Sequence, residues 1–383
     1  MRILFVSPYP PERDGIGAYC AMLARALTEQ GHEVAVITPR PSASAPPEVI
    51  GSLPGALGSS EDVVAATRTF APDVVHVQFA VAAYATQLPS ARRTIDALRG
   101  LGYPVVVTMH EVTRDTETLR APGIGLYRRV AARASHLIVH TDVARRAIMQ
   151  MTDGDPVPVS LIPHPRTELP HSDVPPQDLR ERFSLGADRV VLAFGFIDVD
   201  KGLDDLIAAV GLMSTEGGLS GLRVVVAGDV RRRFGAFRVF EFRDRLHLRK
   251  VKRLASDLRL EERVVFSGFV PEAEIRTWFE LASVAVLPYR RSEQSGVASL
   301  AAAAGAPVLT TDVGELAALS ALPPVPPRDP RALALRLREF LDVAGAPDSR
   351  VEAPGGDLPE IAERTARLYR KVASYPTPAL VVA

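Results

Sequence analysis

Three segments carry residues whose types and spacing suit chemistry on a phosphate-bearing substrate. The first is Asp14-Gly15-Ile16-Gly17, between the apolar run at 3–6 and a helical pattern over 18–29. A glycine turn at a helix start offers backbone N–H groups and the positive end of the helix dipole, which suits a phosphate or a carboxylate. The second is Gly195-Phe196-Ile197-Asp198-Val199-Asp200-Lys201-Gly202, again leading from an apolar run into a helical pattern. Lys201 there can reach a phosphate as a mobile point charge. Asp198 and Asp200 read as complements to a helix dipole rather than as metal ligands. The third is Leu287-Pro288-Tyr289-Arg290-Arg291-Ser292-Glu293-Gln294-Ser295-Gly296. It combines several donors and acceptors with a glycine that admits close backbone approach. A near-bare helix, Ala301 to Ala304, follows it. In the first half, Thr108-Met109-His110-Glu111 ends an apolar run, which turns His110 towards the strand ends where ligands of such sheets bind. His76, His140 and His164 sit in or after similar runs and are given a structural reading.

The elements that must position these residues follow from an alternation. Apolar runs at 3–6, 34–37, 74–77, 105–109, 137–140 and 160–162 are separated by helical patterns at 18–29, 90–98, 126–134 and 142–151. After a proline-rich stretch the alternation restarts, with runs at 190–194, 224–227, 264–266, 284–287 and 308–310. Near-continuous apolar strands alternating with helices imply parallel sheets covered on both faces. The expected fold class is α/β, with two doubly wound Rossmann-like domains facing across a cleft. The expected division is an N-terminal domain at 1–166, a linker at 167–187 and a C-terminal domain at 188–357. A last helix, at 358–375, has no strand after it and is expected to pack back on the N-terminal domain. Segments 42–58 and 344–356 read as surface loops.

Composition sets bounds. A chain of 383 residues, 47% apolar, exceeds one ordinary core. Its zero formal net charge argues against recruitment of nucleic acid. One cysteine, Cys20, excludes a disulfide framework and fits a reducing, cytoplasmic setting. Cys20 shares an apolar helix face with Ile16, Leu23 and Leu27, so it reads as a packed thiol. No run is long enough for a signal peptide or a transmembrane segment, and peripheral membrane contact stays open. The basic stretch from Arg231 to Arg259, interleaved with Phe234, Phe237, Phe240 and Phe242, reads as a solvated helix face and loop, with an acidic or lipid partner as the alternative. Gly15-x-Gly17-x-x-Cys20 approaches the dinucleotide fingerprint. However, Cys20 replaces its third small residue, and Thr38-Pro39-Arg40 ends the second strand without an acidic residue. A dehydrogenase is therefore disfavoured.

Taken in order, these segments resemble the retaining glycosyltransferases of family 4, which have the GT-B fold. The resemblance covers nearly the whole chain. Asp14 to Tyr19 resembles the family's donor-phosphate and acceptor loop. Pro72 to Gln78 and Ile162-Pro163-His164-Pro165 resemble its N-domain signatures. Phe194 to Gly202 resembles the first C-domain strand with its basic loop, and Phe266-Ser267-Gly268-Phe269-Val270 the loop whose backbone holds the base. Glu293 to Val308 resembles the donor-sugar and ribose segment.

The family implies transfer of a sugar from a nucleoside diphosphate sugar to a hydroxyl acceptor, with no metal and no further cofactor. On that basis the catalytic residues are His110, Lys201 and Glu293. The donor-binding residues are Gly15, Ile16, Gly17, Phe196, Phe269, Val270, Arg290, Gln294, Ser295, Gly296 and Val297. Variable segments at 79–89 and 114–125 are expected to shape the acceptor pocket. Two positions depart from the family pattern. Phe196 stands where a basic residue is common, with Arg290 or Arg291 as replacements. Ala301 stands where a second glutamate would hold the ribose. A sugar-nucleotide epimerase on the same fold and a non-catalytic nucleotide-sugar-binding protein remain as alternatives.

Overall fold

The computed structural model describes residues 1–374 except 13, 41, 56–57, 85–86, 153–156, 167–168, 216–217, 234–237, 293–294, 315 and 343–354. The chain divides into two compact units. Unit 1 is Met1–Pro165 with Gly355–Ala383, and unit 2 is Arg166–Pro354.

In unit 1 the order is β1 (Arg2–Val6), α1 (Gly15–Glu29), β2 (Glu33–Thr38), β3 (Val49–Ser52), α2 (Glu61–Phe70), β4 (Val74–Phe79), α3 (Val81–Tyr84), α4 (Leu88–Gly100), β5 (Val105–Met109), α5 (Val112–Leu119), α6 (Ala121–Ala131), β6 (His136–Val139), α7 (Asp142–Met151) and β7 (Val159–Leu161). Unit 2 holds α8 (Pro176–Arg182), β8 (Arg189–Phe194), α9 (Leu203–Thr215), β9 (Leu222–Ala227), α10 (Arg238–Asp257), β10 (Val264–Gly268), α11 (Ile275–Leu281), β11 (Ala282–Leu287), α12 (Gly296–Ala303), β12 (Val308–Thr310) and α13 (Pro330–Asp342). The chain then returns to unit 1 with α14 (Leu358–Ala373).

Both sheets are parallel. Unit 1 has seven strands in the order β3-β2-β1-β4-β5-β6-β7, and unit 2 has five in the order β10-β9-β8-β11-β12. The strand period of two divides each core. Leu4 and Val6 join the layer under α4 and α6, whereas Ile3 and Phe5 join the layer under α1 and α14. Ile361, Ala362, Ala366, Tyr369 and Val372 form the buried stripe of α14, packed in the same cluster as Cys20, Leu23 and Leu27 of α1. Cys20 is buried, and burial pushes its thiol up to about 12. No helix among the described residues is long and apolar enough to cross a membrane.

Several elements differ from the sequence expectation. Segment 42–58 contains β3, an edge strand paired with β2 through Val36 and Val49. Its half-buried, glycine-containing sequence leaves no apolar run to read. The helix α2 turns only Val63 and Thr67 inward, too thin a stripe to stand out. Segment 114–125 is not a loop but most of α5 and the start of α6. The two helices are broken at Arg120, whose φ is +54, and Pro122 sits in the first turn of α6, where its missing N–H costs nothing. The stretch read as a linker carries α8, whose Leu179 is buried with Leu185 and Trp278 in the core of unit 2. The expected loop at 344–356 lies, up to residue 354, outside the described residues.

Candidate active site

In unit 2 the chain leaves β8 for β9 and β10 on one side and later returns with β11 on the other. The loops after β8 and β11 therefore lie at the point where strand order reverses, which is where open parallel sheets bind ligands. Lys201 ends the short turn after β8, and Tyr289 follows β11. The Lys201 ammonium lies 3.6 Å from the centroid of the Tyr289 ring, a cation–π distance. The Arg290 N–H donates to the Asp200 carbonyl at 2.7 Å, tying the two loops together. Gly202 has φ +62, and a Cβ there would meet the Pro288 oxygen at 1.9 Å, so only glycine fits. Asp198 accepts from the Asp200 N–H, which makes it a cap. Gly195, Phe196, Lys201, Pro288 and Tyr289 line a recess at these strand ends.

Arg290 does not supply the cation expected of it. Its guanidinium donates to Asp205 at 2.9 and 3.0 Å and to Asp204 at 2.9 Å, and only 16% of its side chain is exposed. Arg290 is thus a clamp between α9 and the loop after β11. Sequence reasoning placed its charge on the donor because both acidic partners lie about eighty-five positions away. Arg291 is exposed. A different residue stands beside Phe196: the Arg231 guanidinium carbon lies 4.6 Å from its ring centroid, and the ring is 45% exposed. Arg231 was legible only as part of a basic stretch.

Glu293 and Gln294 lie outside the described residues. Ser295 caps α12, its hydroxyl accepting from the Ala298 N–H at 3.2 Å. Ser295, Ala298 and Ala301 form the buried side of that helix. Ala301 is wholly buried in the core, so the position expected to face a ribose faces the sheet instead. Gly296 opens to free space, and Val297 packs against Gly195. Phe269, 64% exposed, and the half-buried Val270 follow β10.

In unit 1 the glycine turn is already capped. The Asp14 carboxylate accepts from the Ile16 N–H at 2.9 Å and the Gly17 N–H at 3.0 Å. Those two amides are engaged, and a carboxylate occupies the dipole end meant for a phosphate. A Cβ on Gly17 would meet Pro8 and Tyr9 backbone at 3.1–3.2 Å, so this glycine serves packing. Gly15 faces open space.

His110 stands just past β5, and Gln78 holds it: Nε2 lies 2.8 Å from Gln78 Oε1. Burial, then the neighbouring histidines, push its pKa well below the ordinary value, so the ring is neutral. His140 and His164, read as separate structural residues, lie against it, with ring centroids 5.0 and 5.9 Å away. His76 does fit its structural reading, bonded to Thr108 and to Tyr369. Phe234 and Phe237 of the basic stretch lie outside the described residues. Asp244, His247, Val251 and Ala255 form the buried side of α10.

Residues 13–166 match the model of Glycosyltransferase Family 4, and residues 188–342 match that of Glycosyl transferases group 1. A D-inositol 3-phosphate glycosyltransferase of Kineococcus radiotolerans is 26% identical, aligned over 95% of this chain and 92% of that protein. One from Jonesia denitrificans is 27% identical over 81% and 77%. Among solved structures, sucrose-phosphate synthase from Thermosynechococcus elongatus superposes over 97% of this chain and 99% of its own, with a TM-score of 0.71 and 21% identity. Anabaena HepE in complex with UDP covers 97% and 100%, with a TM-score of 0.72 and 15% identity. These two likenesses show a shared GT-B fold.

Proposed function

The chain belongs to the family 4 glycosyltransferases, and from that membership we propose that it moves a sugar from a nucleoside diphosphate sugar onto a hydroxyl acceptor, with retention at the anomeric carbon. The observation that carries this reading is Lys201, seated on Tyr289 where the strand order of unit 2 reverses. A cation fixed there meets the charge that develops as the diphosphate departs. Arg231, over Phe196, supplies a second positive charge beside the same recess, and with Lys201 it takes the place of a divalent ion at the diphosphate. The bond from the anomeric carbon to the diphosphate oxygen breaks, and a bond to the acceptor oxygen forms on the same face. The acceptor's proton passes to the departing diphosphate, so no strong protein base is needed. His110, neutral because it is buried, fits a place near the sugar and the attacking hydroxyl rather than a charged role. Phe269 and Val270 are assigned to the base, and Glu293, on sequence alone, to the sugar hydroxyls.

The acceptor class is a glycan, glycolipid or natural product. The relatives named for inositol 3-phosphate make phosphorylated polyols the first acceptors to try. The single cysteine supports a reducing, cytoplasmic compartment.

The deciding experiment incubates the chain with several nucleotide sugars and follows nucleoside diphosphate release with and without acceptor. Acceptor-dependent release with an unchanged anomeric configuration in the product supports the reading. Donor isomerisation without release identifies an epimerase, and binding without turnover a carrier. Replacing Lys201→Ala should lower kcat roughly 100- to 1,000-fold, the effect of losing one charge-stabilising donor. A near-normal rate removes Lys201 from the site.

A further inference from the structure

His110, His140 and His164 stand just past the carboxyl ends of β5, β6 and β7, three neighbouring strands of the unit 1 sheet. Adjacent parallel strands run about 4.8 Å apart, so histidines distant in sequence meet at one edge. One ring nitrogen of each lies within 4.8 Å of those of the other two.

Hydrogen bonds identify the free nitrogen in two of the rings. His140 Nδ1 faces the Ile162 carbonyl at 2.8 Å. A carbonyl only accepts, so Nδ1 carries the proton and Nε2 presents a lone pair. That Nε2 is buried and has no hydrogen-bond partner. For His110 the logic runs through Gln78. His76 Nδ1 pairs with the Tyr369 hydroxyl, and His76 Nε2 lies 2.7 Å from the Thr108 hydroxyl. The Gln78 amide nitrogen also faces His76 Nε2, at 3.4 Å, which turns Gln78 Oε1 to His110 Nε2. His110 Nε2 therefore donates, and its Nδ1 holds the lone pair. His164 makes no side-chain hydrogen bond among the described residues, and its ring lies 3.9 Å from that of His140. Ring N–H groups held by a carbonyl or amide oxygen are how metal-ligating histidines are oriented.

We propose that His110, His140 and His164 form a tris-histidine site for a divalent transition-metal ion of the zinc class, with one coordination position left open. Three neutral nitrogens suit zinc, cobalt, nickel or copper and disfavour magnesium and calcium. Zinc at about 2.0–2.1 Å from each nitrogen needs them about 3.4 Å apart, so the rings close inward by rotation. The ion ties three strand ends together and gives His110 a holding role through Nδ1. The site shares His110 with the transferase reading, but metal binding is measured without turnover, so the failure of one is distinguishable from the failure of the other.

The test begins with untagged full-length chain, purified without chelator and analysed for metals by mass spectrometry. About one zinc-class ion per chain is expected for a three-histidine site. The chain is then stripped with a chelator and titrated with Co²⁺, which should produce the visible d–d bands of a four-coordinate site of three nitrogens and a water. His140→Gln and His164→Gln should each abolish those bands, whereas His171→Gln, in unit 2, should leave them unchanged. Gln78→Leu, which frees the His110 ring, should weaken Co²⁺ binding about 10- to 100-fold. The proposal is overturned if wild-type chain carries only traces and the stripped chain takes up neither Zn²⁺, Co²⁺ nor Ni²⁺. It is equally overturned if the folded His140→Gln, His164→Gln double variant binds as wild type does. The wild-type titration decides the matter even if that variant does not fold.

Discussion

Arg290 and Arg231 show how single residues exchange roles once their neighbours are known. Arg290 looks like a donor ligand in the sequence, yet it neutralises Asp204 and Asp205. Arg290→Gln leaves that carboxylate pair largely buried without its cation. It should destabilise the protein by about 3 kcal/mol, the low end for breaking a buried ion pair, and lower the melting temperature. A variant that melts normally but binds donor weakly would return Arg290 to the donor site. Arg231→Ala should act on donor binding: a lost charge-assisted contact of about 1.5–3 kcal/mol would raise the KM for donor roughly 10- to 100-fold. Lys201 was legible in the sequence because its type, its glycine neighbour and its place after a strand all lie within eight residues. The pairing of Arg290 was not, because it spans two loops brought together only by the sheet.

At the scale of elements, α14 is the instructive case. Its stripe of Ile361, Ala362, Ala366, Tyr369 and Val372 was readable as an amphipathic helix, but its seat depends on a polar contact inside the core. The Tyr369 hydroxyl lies 2.5 Å from His76 Nδ1. Burial, with a smaller contribution from the neighbouring His140, lowers the His76 pKa to about 3. An unfolded histidine titrates near 6.5, so between those values the unfolded chain binds the extra proton. The stability that His76 contributes is therefore complete above pH 6.5 and is lost as pH falls towards 3. Between pH 7 and 5 the loss should be on the order of 2 kcal/mol. It is measurable as a fall in the urea midpoint and as lower amide protection factors along α14, each taken against the intrinsic exchange rate at that pH. A midpoint that rises over this interval would contradict the assignment. By contrast, β3 and the α5–α6 pair escaped the sequence because an edge strand and a proline-opened helix lack a full apolar stripe.

At the scale of the molecule, each unit has its own two-layered core, so each should respond separately to ligands. A nucleoside diphosphate present at about one hundred times its Kd should stabilise the unit that binds it by about 2.7 kcal/mol. If unit 2 holds the donor, calorimetry should show a shift only in the melting component that belongs to unit 2, identified by limited proteolysis of the partly melted sample. A shift confined to unit 1 fragments would move the donor site to the capped glycine turn.

The sequence by itself determined the alternation of buried strands and helices, the two parallel sheets, the family, and which loops lie at strand ends. These are carried by short-range periodicity and local residue type. Tertiary structure alone decided which charges stay available and which histidines meet. Sheet order sets neighbours across tens of residues, and a side chain's chemistry depends on whether its nearest partner is a carboxylate, an aromatic ring or another imidazole.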